Sequence, residues 1–161
     1  MVLRHLVAEG DRQDLSIMAP RISNRIACFV DALPLVPGHR VLEVGCGPGV
    51  AAREVCRRIG NGFVLAIDRS ARAIDSAVAG SKPEIASGYL RFRQVAVEDF
   101  ELLADEAPFD LAFAMRVGAL DGRHPDIERR ALERLRAALK PSGQLFIDTG
   151  HPLREIGLRG R

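Results

Sequence analysis

Little in this 161-residue sequence points to a metal, a membrane or a nucleic acid. The three cysteines, Cys28, Cys46 and Cys56, form no metal-ligand pair. An odd, sparse set of thiols suits a reducing cytosol better than a disulfide framework. The four histidines, His5, His39, His124 and His151, are too scattered for zinc-like spacing, so no metal is expected. The net charge is only +2 and the arginines are interleaved with acids, so no nucleic acid is expected as a partner. No apolar run approaches the ~20 residues that cross a bilayer. Arg4, His5, Glu9 and Asp11 break the N-terminus where a signal peptide would need an apolar core. A cytoplasmic protein with no membrane contact is the expectation.

What is present is ordinary for a globular chain, with 47% hydrophobic and 27% charged residues. There is no internal repeat, no low-complexity tract and no linker long enough to split the chain, so one domain over 1–161 is expected. Residues 1–18 read as a mixed-charge arm. Residues 19–33 read as a helix whose apolar face is Ile22, Ile26, Phe29, Val30 and Leu33. Pro34 and Pro37-Gly38 end that helix.

Nine residues organise the rest: Val41-Leu42-Glu43-Val44-Gly45-Cys46-Gly47-Pro48-Gly49. The apolar run suits a buried parallel strand, and the alternate glycines that follow suit a backbone that bends sharply and comes close to something. Val50 to Ile59 then reads as a helix. Strand, glycine turn and helix make a nucleotide-binding corner, with backbone N–H groups and a helix N-terminus facing the ligand.

Beyond the corner, strands are expected at Phe63–Asp68, around Leu90 to Val97, at Phe109–Met115 and at Gln144–Asp148. Between them lie a helix from an N-cap at Ser70 to about Val78, a loop at Gly80-Ser81-Lys82-Pro83, a short helix over Glu98 to Ala104, and a helix opening at Pro125. Strands alternating with helices imply parallel β-α-β units in a three-layer α/β sheet. The tail from His151 has little apolar content and is expected to be too short to supply two further strands. The apolar edge of the fifth strand is then left open to pairing.

The corner itself discriminates between ligands. Gly49 is followed by Val50-Ala51 rather than Lys-Ser/Thr, which removes a P-loop. A dinucleotide fingerprint would place its third glycine on Val50 or Ala52, which removes a pyrophosphate site. What stands instead is Glu43-x-Gly45-x-Gly47-x-Gly49, which resembles the first motif of the class I S-adenosylmethionine-dependent methyltransferases. Asp68, 19 residues after Gly49 and closing the second strand, matches the family's ribose-holding acid. Phe109-Asp110-Leu111 resembles the start of its fourth strand, and Leu139-Lys140-Pro141-Ser142-Gly143 the approach to its fifth. These pieces span about residues 34–149.

The resemblance implies a Rossmann-like open parallel sheet in the order 3-2-1-4-5, with 39–149 as the cofactor-binding core and most or all of the family's C-terminal hairpin missing. It implies S-adenosylmethionine as cofactor, held by Glu43, Gly45, Cys46, Gly47, Gly49, Asp68, Arg69, Val97, Glu98 and Met115. The family's usual adenine-binding acid falls on Ala96, leaving the Val97 N–H and the Glu98 carboxylate as replacements. Methyl transfer needs alignment more than a triad, and the catalytic candidates are Arg116, Asp121 and His124. The loop after the fourth strand lacks the Asn/Asp-Pro-Pro-aromatic signature of amino-group methylation on nucleobases or glutamine. The implied activity is methyl transfer to the oxygen or nitrogen of a small molecule; the alternative is a non-catalytic module that binds cofactor or a protein partner. The arm before Pro20 is expected to act as a lid, and a homodimer is expected through the fifth-strand edge.

Overall fold

A computed structural model describes residues 22–158. One six-stranded sheet organises them, in the order β3-β2-β1-β4-β5-β6. The strands are β1 (Arg40–Val44), β2 (Phe63–Asp68), β3 (Leu90–Gln94), β4 (Phe109–Ala114), β5 (Leu139–Ile147) and β6 (Arg154–Ile156). The first five run parallel and β6 runs antiparallel to β5. The helices are α1 (Asn24–Ala32), α2 (Val50–Arg58), α3 (Ala71–Ala79), α4 (Lys82–Ala86) and α5 (Pro125–Ala138).

Both faces of the sheet are buried, as a parallel sheet requires. Successive side chains of a strand point to opposite faces. Leu42 and Val44 of β1, Leu65 and Ile67 of β2, and Leu145 and Ile147 of β5 therefore meet Ala131, Leu135 and Ala138 of α5. Val41, Val64, Ala66, Leu111 and Phe113 point the other way, onto Phe29 and Val30 of α1 and Ala52 and Val55 of α2. The expected three layers and the strand order 3-2-1-4-5 are present.

Several local expectations are corrected. The third strand stops at Gln94, so Val95 and Val97 lie beyond it. Only a 3₁₀ turn, Val97–Asp99, replaces the helix expected over Glu98 to Ala104. Phe100 turns extended to bury its ring, and the Leu103 N–H is captured by the Glu106 carboxylate at 2.9 Å. The loop expected at 80–83 opens α4, with Pro83 in its first turn and the Ser81 hydroxyl buried beneath the Arg53 guanidinium at 2.9 Å. The N-terminal helix begins at Asn24 because Ser23 caps it, accepting from the Ile26 N–H. The arm at 1–18 and residues 19–21 lie outside the described residues.

The larger correction is at the sheet edge. The fifth strand carries a partner from its own chain: β6 pairs Ile156 with Leu145, Glu155 with Phe146 and Arg154 with Ile147. Ile156 packs on the α5 side of the core and Leu158 is buried there. The Arg136 guanidinium donates to the Leu158 carbonyl. Backbone pairing plus two apolar side chains is enough to seat a three-residue strand. A dimer pairing directly on β5 has to displace it.

Candidate functional site

The glycine corner is tied to the end of β2 by backbone. The Gly45 and Cys46 N–H groups both donate to the Ile67 carbonyl, at 2.8 and 3.0 Å. The Gly47 N–H donates to Asp68 Oδ2 at 2.9 Å, while Asp68 Oδ1 accepts from the Ser70 N–H at 2.9 Å. Asp68 thus links the corner to the start of α3. A carboxylate offers about four lone-pair sites, so each oxygen keeps accepting capacity. The Arg53 guanidinium donates to the Pro48 carbonyl at 3.0 Å and holds the turn from the α2 side.

The three glycines serve different needs, although all have positive φ. A Cβ at Gly45 would lie 2.6 Å from Val117 Cγ2, and one at Gly49 would lie 2.9 Å from Phe92 Cζ. Those two positions are filled by packing. A Cβ at Gly47 would meet nothing within 4 Å. Backbone at Gly47 is therefore bare toward open space, next to a carboxylate.

Glu43 lies beneath the corner and is only 3% exposed. Burial pushes its carboxyl up to about 8, against the pull of the Ala52 backbone N–H; the nearby Asp68 adds to the rise and Arg53 opposes it. Its Oε2 has no hydrogen-bond partner among the described residues. The Cys46 thiol is also pushed up, by burial first and by Glu43 and Asp68 after it, so it is a poor nucleophile.

A cleft of about 360 Å³ opens beside the corner at the C-terminal ends of β1 and β2, where ligands of open α/β sheets bind. Of the residues singled out in the sequence, Gly45, Asp68, Arg69, Val97, Glu98, Arg116 and His124 line it. Glu43, Cys46, Gly47 and Gly49 build the corner beside it. Met115 packs toward the α1–α2 layer instead. Asp121 lines a second cleft of about 310 Å³, between the ends of β4 and β5. Val95, Ala96, Ala119 and Ile127 are among the first cleft's other lining residues; the apolar character of Val95 and Ile127 was visible in the sequence, but not their meeting.

Arg116 and Val117 line both clefts. Arg116 is the one non-glycine at positive φ among the described residues, at +54°. Its N–H donates to Asp148 Oδ1 at 3.1 Å, and Asp148 Oδ2 receives the Arg25 guanidinium of α1 at 3.0 Å. Val117 is thereby laid over Gly45. No local pattern marks Asp148 or Arg25 for this, since the contact spans 123 residues. Asp121 is chelated by Arg123, at 2.6 Å from its Nε, and that pairing holds the carboxyl below the usual range.

Among the described residues, no group of three or more histidine, cysteine or acidic side chains could hold a metal ion, and no helix is long and apolar enough to cross a membrane.

An open parallel sheet with a glycine corner ending β1 and an acid ending β2 defines a nucleoside-binding α/β fold. The chain belongs to the class I S-adenosylmethionine-dependent methyltransferases, its residues 41–143 matching the methyltransferase domain family. It is 34% identical over 137 residues to a protein-L-isoaspartate O-methyltransferase of Methanopyrus kandleri, covering 84% of this chain and 54% of that one. Its fold is similar to that of the [4+2]-cyclase SpnF, with a TM-score of 0.61, 28% identity, and coverage of 76% of this chain and 42% of that one. It is also similar to a methyltransferase from Thiobacillus denitrificans in complex with S-adenosyl-L-homocysteine, with a TM-score of 0.60, 22% identity, and coverage of 80% and 49%. The chain spans about half the length of the curated relatives it matches.

Proposed function

We propose that the chain binds S-adenosylmethionine in the cleft beside the glycine corner and transfers its methyl group to an oxygen or nitrogen of a small molecule. The observation that carries this is Gly47, bare toward open space, with its N–H fixed on Asp68. The residues fit the cofactor. Asp68 has lone pairs left for vicinal ribose hydroxyls, with Arg69 beside it. The bare backbone at Gly47 admits the methionine portion, Gly45 lines the cleft beneath Val117, and Cys46 and Gly49 keep that turn tight. Buried Glu43, with one oxygen unpartnered, organises the corner from beneath. The Val97 N–H and the Glu98 carboxylate are the groups for the adenine edge. Met115 packs toward the other layer.

The cofactor supplies a methyl group already activated by the sulfonium charge. The chain's own work is alignment and exclusion of water, and orientation of this kind contributes ~7–11 kcal/mol. Val117, Ala119 and Ile127 supply apolar wall. Of the three catalytic candidates, Asp121 is a poor base because Arg123 stabilises its charged form. Arg116 cannot accept a proton. His124, which lines the cleft and makes no cap bond to α5, is the residue to take a proton from the acceptor.

A second reading, a module that binds cofactor without transferring methyl, is favoured by the likeness to the [4+2]-cyclase SpnF. Titration calorimetry with S-adenosylmethionine and S-adenosylhomocysteine tests the shared premise, and binding of neither overturns both. Labelled methyl transfer to a panel of small hydroxyl and amine compounds separates them.

A further inference from the structure

The second cleft has a charge imbalance that the cofactor reading does not use. Its floor is apolar, made by Ala114, Leu120 and Ile147. Two carboxylates line it, and both are already engaged. Asp121 is held by Arg123, and Asp148 takes the Arg25 guanidinium and the Arg116 N–H. The Arg116 guanidinium, in contrast, has no hydrogen-bond or ion-pair partner among the described residues. Its backbone is held in the left-handed region by the Asp148 contact, a costly conformation for a non-glycine residue. An exposed guanidinium without a protein partner, carried on a backbone held at the junction of two clefts, is a ready partner for a planar anion.

We propose that this second cleft is the acceptor subsite and that it selects a small molecule with an apolar body and a carboxylate, the carboxylate pairing with Arg116. This rests on the methyltransferase reading for the word acceptor, but not for the binding itself. About 310 Å³ admits a compact ring or short chain, and the apolar floor takes it up while the guanidinium fixes its orientation. Arg123 contributes little attraction, because Asp121 consumes its charge.

The test uses the full chain saturated with S-adenosylhomocysteine and two probe pairs, benzoate with benzamide and hexanoate with hexanamide, read by titration calorimetry or ligand-observed NMR. At least one carboxylate is expected to bind ten-fold or more tighter than its neutral amide. That ratio should fall to near one in Arg116→Gln and be partly kept in Arg116→Lys. A ratio is unaffected by a general loss of folded protein, so a merely structural role would not move it. A ratio near one in the wild type, or no binding by any probe, overturns the proposal. So does a preference that survives Arg116→Gln. If S-adenosylhomocysteine itself does not bind, the methyltransferase reading fails, and the same probe ratios measured on the free protein still decide the subsite.

Discussion

The Gly47 N–H donates to Asp68 Oδ2 at 2.9 Å, so the acid that ends β2 is bonded to the glycine turn that ends β1. Asp68 is thus a structural tie of the corner as well as its candidate ribose ligand. The two roles separate by substitution.

Asp68→Asn keeps an acceptor for one of the two backbone N–H groups, whereas Asp68→Ala strands both Gly47 and Ser70. The alanine variant should lose roughly 1–3 kcal/mol of unfolding free energy and the asparagine variant less. Both should weaken S-adenosylhomocysteine binding by about 10- to 100-fold, the loss of a hydrogen bond to a charged group. Denaturant unfolding and calorimetry read the two effects, and wild-type affinity in both variants removes Asp68 from the site.

Gly47 and Gly49 should respond differently to one added methyl. At Gly47 a Cβ meets nothing, so Gly47→Ala costs only the left-handed strain, roughly 1–2 kcal/mol. At Gly49 the same strain is joined by contacts of 2.9 Å to Phe92 and 3.1 Å to Ala77, so Gly49→Ala should be the less stable protein. The affinity order should be reversed relative to stability, because the methyl at Gly47 enters the space assigned to ligand. Equal affinity in Gly47→Ala and the wild type places the ligand elsewhere.

Glu43 should make stability fall with rising pH. Its folded value, about 8, lies above the ordinary glutamate range, so folding takes up a proton between the two. The stabilisation is fully present below about pH 4.5 and is lost as pH rises through about 8, with a limiting slope of about 1.4 kcal/mol per pH unit. Glu43→Gln, which stays neutral, should lack this slope. Parallel stability profiles for the two proteins between pH 5 and 8 would show that Glu43 does not carry a proton there.

Arg116→Gly should stabilise the fold. Glycine relieves the left-handed strain at +54°, worth roughly 1–2 kcal/mol, against the entropy that glycine adds to the unfolded chain, roughly 0.4–1 kcal/mol. A small gain in unfolding free energy, together with loss of the carboxylate preference, is the expected pair. A destabilised variant would mean that the arginine side chain itself contributes to the fold.

The parts legible in the sequence were the local ones. Val41 to Gly49 carries strand, turn and helix start within nine residues, and Ser70 and Pro125 mark their helices by cap chemistry. The cleft walls were legible only in part. Glu98 was legible through the family resemblance and His124 as the residue before the helix opening at Pro125, but Val117 over Gly45 depends on a left-handed Arg116, and that depends on Asp148 and Arg25 from opposite ends of the chain. Periodicity reports which face a residue occupies; it does not report which loops cross. The protonation of Glu43 was illegible for the same reason, since desolvation is a property of everything packed around it.

β6 was missed because it has one apolar residue in three positions, too short for alternation to register. Its pairing nevertheless closes the stretch of β5 from Leu145 to Ile147, whose side chains are all buried. An exposed strand edge of that kind pairs with whatever backbone is available. A chain ending at Thr149 loses β6, Ile156 and Leu158 together, leaving the β5 edge and part of the α5-side core open. Light scattering should then show self-association at micromolar concentration beyond that of the full chain. Adding three prolines in place of Arg154, Glu155 and Ile156 should do the same without shortening the chain, because proline cannot donate to the ladder. If both variants match the full chain in size, β6 is not what guards the edge, and the pairing preference of β5 must be blocked by the residues around it.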